Sequence, residues 1–339
     1  MMQTRSLCLN LHIGQAKTGT TTLQQALFRK HPEIRYFGQF VPSSVRMHCE
    51  SEEIFQLLNP LLWDTKSTLN LSGTRNLLHR NLLNHNLESN NTTAKCLVAS
   101  WEGLIARSVE TNIEMIRRIK TVFGECRILV TLRNPLKRLP SEYLENLKGH
   151  FIKGAHTWIG RLPYIDFEQW LQKAMDIRHL PILLSYSQII RSAVDELGKD
   201  RVGVFLFEDL GNAPADYIAR ICNFIQVDPQ VGLKLMKDQH LHPSRTQGEI
   251  DFLQQLNRSP VRRFFLKVAG RKYRKKVFAQ QGNNVRVETV EFPESWRRKV
   301  FNATYQGNRW LSDTFDLPLA KYGYPMEPLV PSRTTASQS

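Results

Sequence analysis

No apolar run in this chain approaches the roughly 18–20 residues that a bilayer-crossing helix needs, which excludes a membrane-spanning class. The amino terminus, MMQTRSLCLNLHIG, has neither the apolar core nor the small-residue cleavage site of a secretory signal. A cytoplasmic, bacterial setting is therefore expected. Cysteine is scarce: Cys8, Cys49, Cys96, Cys126 and Cys222 are widely spaced and form no CxxC pair. That pattern excludes a disulfide framework and a zinc site of standard spacing. Cys8, Cys96 and Cys126 fall in apolar, strand-like runs, where a thiol acts as a small hydrophobe. Acidic residues are in deficit, 31 Asp and Glu against 46 Lys and Arg, so the net charge is +15. Such a field attracts anions, whether a nucleotide phosphate, a sulfated or phosphorylated acceptor, nucleic acid or an acidic membrane surface.

What is present is the composition of a folded protein. Of 339 residues, 41% are hydrophobic and 23% charged, which excludes disorder and fibrous repeats as the main state. Apolar runs at Leu7–Ile13, Ile34–Phe37, Cys96–Ser100, Arg127–Leu132 and Val202–Phe207 read as strands. Between them lie stretches of helical period, such as Asn112–Phe123 with Ile113, Ile116, Ile119 and Phe123 on one face. Helices are also expected over Glu52–Leu62, Thr74–Leu87, Pro163–Met175, Ser185–Leu197 and Ala215–Ile225, and after Pro135. Buried strands separated by helices predict an α/β fold of three layers, α/β/α, around a central parallel sheet. The reading is of one domain over residues 1–327, with its core at 5–228, a basic helical extension at 229–327 and a flexible tail at 328–339.

The first strand runs into Gly14-Gln15-Ala16-Lys17-Thr18-Gly19-Thr20-Thr21-Thr22 and then a helix. That order directs main-chain N–H groups and a helix N-terminus at one point, a nest for phosphate. Gly14 and Gly19 permit tight turns and close anion approach, Lys17 adds a full charge, and the threonines add donors. The plainer alternative is a Gly/Thr turn capping an ordinary helix. A nucleotide triphosphatase loop would carry its lysine after the second glycine; here Lys17 precedes Gly19 by two residues and Thr20 follows it. For magnesium the strand ends offer only Glu208-Asp209, a weak candidate, so no metal is assigned.

Gly14–Leu23 (GQAKTGTTTL) resembles the 5′-phosphosulfate loop of the sulfotransferases that use 3′-phosphoadenosine 5′-phosphosulfate (PAPS). A second element, Arg127–Tyr143 (RILVTLRNPLKRLPSEY), is similar to the family's strand ending in arginine with serine eight residues on. The resemblance implies that Arg133 and Ser141 hold the 3′-phosphate, and a guanidinium fork with a hydroxyl suits that task. Val204–Leu210 (VFLFEDL) resembles the family's Tyr-Glu-Asp-Leu strand end. Phe207 stands in the tyrosine's place, either stacking on adenine without a hydroxyl or packing as a core strand residue. The resemblance covers residues 7 to 210 and implies a PAPS donor, Gly14, Ala16, Lys17, Thr18, Gly19, Thr20, Thr21 and Thr22 around the phosphosulfate, no metal, and a hydroxyl- or amine-bearing acceptor such as a carbohydrate.

Lys17 is the natural group to stabilise the leaving phosphate. Glu102, following Cys96–Ser100 and Trp101, is the candidate base. The glycan-sulfating branch of the family carries a glutamate there. Partial cover by Trp101 would raise its pKa and suit proton abstraction; alternatively Glu102 merely opens a helix. The phenol-sulfating branch uses a histidine after this strand, and none lies between His85 and His150, although His150, His156, His240 and His242 stay open. Trp158 and Tyr164 are either an acceptor lid or core anchors. Arg262–Lys276 holds eight basic residues and no acidic one. It reads as a helix snorkelling its cations, an anionic acceptor site, or a contact with an acidic membrane surface. Nucleic acid is disfavoured, since no RNA- or DNA-binding motif occurs. Two other functions compete: a magnesium-dependent kinase and a non-enzymatic polyanion- or membrane-binding module.

Overall fold

The structure is a computed structural model that describes residues 8–40, 49–63, 69–88, 94–153, 159–160, 162–237, 246–282, 285 and 290–329. Among these, strands β1 (Leu9–His12), β2 (Ile34–Gln39), β3 (Cys96–Ser100), β4 (Cys126–Leu132) and β5 (Val202–Leu206) form one sheet in the order β2-β3-β1-β4-β5. Every pairing is parallel: His12 lies opposite Ser100 on one side and Leu129 on the other, and Leu132 lies opposite Leu206. Strands β1, β3 and β5 are buried at every residue, as strands covered on both faces must be.

The layering follows from the handedness of the connections. The chain moves one way along the sheet from β1 to β2, and the opposite way from β3 to β4 and from β4 to β5. Right-handed crossovers therefore place their helices on opposite faces. One face carries the helical segment after β1, the helix Pro214–Ile225 and the helix Pro229–Met236, packed through Leu27, Phe28, Val98, Leu129, Phe205, Tyr217, Ile221 and Ile225. The other carries the helices Val109–Phe123 and Tyr186–Leu197, which pack on each other and on β4. Three layers around a parallel sheet result, as expected. No described helix is long and apolar enough to cross a membrane.

Contacts divide the chain into two compact units, Met1–Arg133 with Tyr186–Leu241, and Asn134–Ser185 with His242–Ser339. The first holds the sheet. It also takes in the helix Pro229–Met236, which the sequence reading assigns to the extension. The second is helical and includes residues 134–185 as well as the later helices. Its centre is aromatic: Phe151, Phe252 and Phe278 meet at centroid distances of 5.5–6.5 Å, and Tyr143, Phe167 and Trp170 form a neighbouring group.

Two local differences from expectation have simple causes. Phe207 opens the helix Phe207–Asn212 and is not the last strand residue, because the ladder with β4 ends at Leu206. The helix after the glycine loop is α-helical only over Thr20–Thr22 and widens into a π-helical stretch over Leu23–Phe28. Such widened turns collect at functional sites.

The second unit also buries an ion pair. Arg138, fully buried, donates to Glu142 at 2.5 Å, and His179 Nε2 lies 3.2 Å from the other carboxylate oxygen. Burial pushes the Glu142 carboxyl up, but Arg138 and His179 outweigh it, so its pKa ends below the usual value. Removing one partner of a buried pair leaves a charge without compensation, at a cost of about 3–5 kcal/mol. Glu142→Gln should lower stability by that amount in urea titrations. Glu125→Gln, which breaks the half-exposed pair with Arg201, should cost no more than about 1 kcal/mol. Equal losses would show that Glu142 does not carry this role.

Candidate functional site

In a parallel sheet all strands deliver their C-terminal ends to one edge, and a ligand crevice opens where successive connections diverge to opposite faces. Here the divergence falls at β1. Its end leads into Gly14, the end of β3 into Trp101 and Glu102, the end of β4 into Arg133, and the end of β5 into Phe207.

The loop after β1 begins as an extension of the sheet. Ile13 N–H donates to Leu129 O at 2.9 Å, and Gln15 N–H to Thr131 O at 3.1 Å. Gly14 has no space for a side chain, since a Cβ there would stand 2.1 Å from Thr131 Oγ1. The backbone then leaves the sheet through two left-handed residues, Lys17 (φ 69°) and Gly19 (φ 78°). Residues of this kind, set among right-handed ones, turn successive N–H groups toward a common point. At Gly19 a Cβ would stand 3.0 Å from Leu210 and 3.2 Å from Phe207. Thr18 Oγ1 donates to Gln15 O at 2.6 Å and meets Thr131 Oγ1 at 2.8 Å, which holds the loop against β4. Leu23 N–H closes the first helical turn on Gly19 O at 3.2 Å, and no acidic side chain occupies that turn. The amides of a helix start without a carboxylate suit an anion. Thr20 is buried, while Ala16, Lys17, Thr21 and Thr22 are half-buried.

Beneath the loop lies a residue that the sequence reading misses. His12, the last residue of β1, is 1% exposed. Its Nδ1 lies 2.9 Å from Ser100 Oγ at the end of β3, and its Nε2 lies 3.1 Å from Thr131 Oγ1 in β4. Gln24 Nε2 in the widened helical turn donates to Ser100 Oγ at 2.7 Å, and Gln39 at the end of β2 donates to Gln24. A chain of hydrogen bonds therefore runs from β2 to β4 under the loop, with the imidazole in its middle. Burial pushes the His12 pKa down to about 3. In the sequence His12 is a lone polar residue in an apolar run. Its only signal is its place directly before the Ile13-Gly14 step.

The structure brings most of the sequence-predicted site residues to this edge. Thr20 Oγ1 donates to Glu102 Oε1, so the carboxylate that leaves β3 touches the start of the loop helix. Arg133 Nη1 donates to Lys17 O at 3.3 Å, and its guanidinium lies 4.9 Å from the centroid of the Phe207 ring. Phe207 thus borders both Gly19 and Arg133. Ser141 lies half-buried on the helix Pro135–Lys153 of the second unit. The expected cover of Glu102 by Trp101 is not the main use of that ring. Trp101 packs on Trp63, with centroids 3.7 Å apart, and fills the space beside Gly103.

Other candidates find structural employment. His150 is buried, with its Nε2 2.9 Å from Leu162 O. The main chain at Tyr164 is pinned to Asn257 by hydrogen bonds of 3.2 and 2.7 Å. Asp209, the weak magnesium candidate, accepts from Arg220 at 2.5 Å. Trp158, His156, His240 and His242 lie outside the described residues.

A glycine-bounded turn carrying lysine and threonines, set at the switch point of a parallel sheet, defines an α/β protein whose loop suits an anion. The profile of the sulfotransferase family matches residues 12–230, nearly two-thirds of the chain, a span that includes Lys17, Glu102, Arg133, Ser141 and Phe207, and the chain belongs to that family. Its members transfer sulfuryl groups. Among solved structures, a sulfotransferase from Alicyclobacillus acidocaldarius is 18% identical at a TM-score of 0.42, over 75% of this chain and 92% of that one. Sulfotransferase STF9 from Mycobacterium avium is 12% identical at 0.39, over 84% and 78%. A mouse sulfotransferase complexed with PAP is 12% identical at 0.36, over 70% and 65%. No curated protein is significantly similar in sequence.

The state of His12 has a measurable consequence. Its folded pKa is depressed, so its contribution is fully present above the unfolded value near 6.5 and is lost as pH falls toward about 3. Within that window the unfolded chain takes a proton that the folded chain refuses, at about 1.4 kcal/mol per pH unit. Wild-type stability should fall more steeply between pH 6.5 and pH 4 than that of His12→Asn, as read by urea midpoints across pH. Parallel curves would show that the imidazole does not stay neutral in the fold.

Proposed function

We propose that this chain moves a sulfuryl group from PAPS to a hydroxyl or amine of an acceptor, with Glu102 as the base. The observation that carries the reading is the hydrogen bond from Thr20 to Glu102. It joins the carboxylate at the end of β3 to the phosphate loop at the end of β1, which is where an acceptor's proton and a leaving phosphate would have to be served together.

PAPS would supply the sulfuryl group on a phosphate leaving group, and the loop fits such an anion. Lys17 takes the left-handed conformation, and Gly19 leaves open the space that a Cβ would fill beside Phe207 and Leu210. Lys17 and the amides around Thr18–Thr22 oppose the charge that gathers on the phosphate as the sulfur–oxygen bond breaks. Glu102 takes the proton of the attacking group as the new bond to sulfur forms. Arg133, seated on Phe207, serves the 3′-phosphate, and the face of Phe207 serves the adenine. A carbohydrate heads the acceptors to be screened with sulfur-labelled PAPS. The kinase reading is not favoured, because Asp209 is engaged by Arg220 and the family is that of sulfotransferases.

Glu102→Gln should lower turnover about 10²–10⁴-fold, the usual contribution of a general base, while the affinity for adenosine 3′,5′-bisphosphate in calorimetry stays within about twofold. Full activity in that variant would remove Glu102 from the role. Arg133→Ala should weaken adenosine 3′,5′-bisphosphate about 10–100-fold, the worth of a charge-assisted hydrogen bond. Adenosine 5′-phosphosulfate, which lacks the 3′-phosphate, should lose far less; equal losses would contradict the assignment.

A further inference from the structure

The basic segment singled out in the sequence folds as two helices, Pro260–Val268 and Gly270–Ala279, joined through Gly270 at φ 78°. Its attachment to the second unit uses few side chains. Leu266 and Phe278 are buried, and Phe278 joins the aromatic centre with Phe151 and Phe252. Arg274 is buried as well: Nε donates to Ile152 O at 3.1 Å, and Nη1 to Leu266 O at 3.2 Å and Lys267 O at 3.0 Å. This guanidinium collects carbonyls at the end of the first helix and ties the two helices together.

The apolar stripe of the first helix is not used in that attachment. Val261, Phe264, Phe265 and Val268 recur at i, i+3, i+4 and i+7, the spacing of one helical face. They are 67%, 65%, 67% and 71% exposed. Tyr273 of the second helix, also exposed, extends the patch, and a concavity of about 540 Å³ lies between Val261, Phe265, Ala269 and Tyr273. The same two helices carry Arg263, Lys267, Arg271, Lys272, Lys275 and Lys276, while Arg262 lies over the Phe252 ring, and no acidic residue occurs between Asp251 and Glu288. A second copy of this face would bring these cations against their own kind. An acidic polysaccharide would satisfy the cations but leave both phenyl rings in water. An anionic bilayer surface answers both features: acyl chains and headgroup carbonyls for the stripe, phosphates for the cations.

We propose that the helices Pro260–Val268 and Gly270–Ala279 dock this protein on an anionic phospholipid surface, with Phe264 and Phe265 entering the boundary of the acyl region. This assignment is independent of the transfer reaction. It is tested by sedimentation of the full chain with phosphatidylcholine vesicles, alone or mixed with phosphatidylserine. Binding is expected to the mixed vesicles and to weaken with salt. Lys272→Gln and Lys275→Gln should each reduce partition about fivefold. Phe264→Ser with Phe265→Ser should reduce it about tenfold or more, with an unchanged circular dichroism spectrum and melting curve. In a Phe264→Trp variant, lipids brominated in the acyl chain should quench the new indole emission. Equal binding to both vesicle types, or to neither, would overturn the proposal. So would undiminished partition of the double serine variant, an unquenched indole, or a dimer in light scattering that the serine substitutions dissociate.

Discussion

Burying an imidazole together with serine, threonine and glutamine side chains costs free energy unless each finds a partner. The sheet edge of this protein is arranged around meeting that condition. His12 spans from Ser100 to Thr131, Gln24 reaches Ser100, and Thr18 reaches Thr131. The same bonds tie the ends of β3, β1 and β4 side by side. The segments that leave those ends therefore start from fixed points: the Lys17 loop from β1, Glu102 from β3, Arg133 from β4. Glu102 and the glycine loop, from segments distant in sequence, meet because a buried histidine holds their roots together.

Above that layer, positive charge is placed by contact with neighbours. Arg133 rests on the Phe207 ring and donates to the carbonyl of Lys17, so the guanidinium, the aromatic face and the glycine turn form one group. A ring under a guanidinium favours the cation and fixes its plane. Much of the chain's surplus charge lies elsewhere, in residues 262–276 of the second unit. The excess of base that composition reveals thus has two uses. A few cations are seated singly at the sheet edge, and a dense group surrounds an apolar stripe on a helical pair.

Much of the fold was legible because buried parallel strands are written as unbroken apolar runs. Cys96–Ser100 matches β3 at both ends, and the other runs agree to within two residues. The glycine loop and Arg133 were legible for a related reason: they sit where such runs stop. Less legible was anything that depends on what faces a residue. Phe207 reads as a strand residue until its ladder ends. His150 reads as a candidate base until it is found bonded to Leu162 O. His12 offers no local pattern, since a single polar residue in an apolar strand looks the same whether it is tolerated or central.

Local spacing along the chain therefore determined the succession of strands and helices and the glycine turn that follows β1. These follow from periodicity and backbone freedom, which act between near neighbours. Only the tertiary structure decided that Thr20 meets Glu102, that Arg133 covers Phe207, and that the helix Pro260–Val268 turns its apolar stripe outward while Leu266 points in. Burial, ion pairing and exposure are properties of what packs against a side chain, and that partner comes from residues far away in sequence.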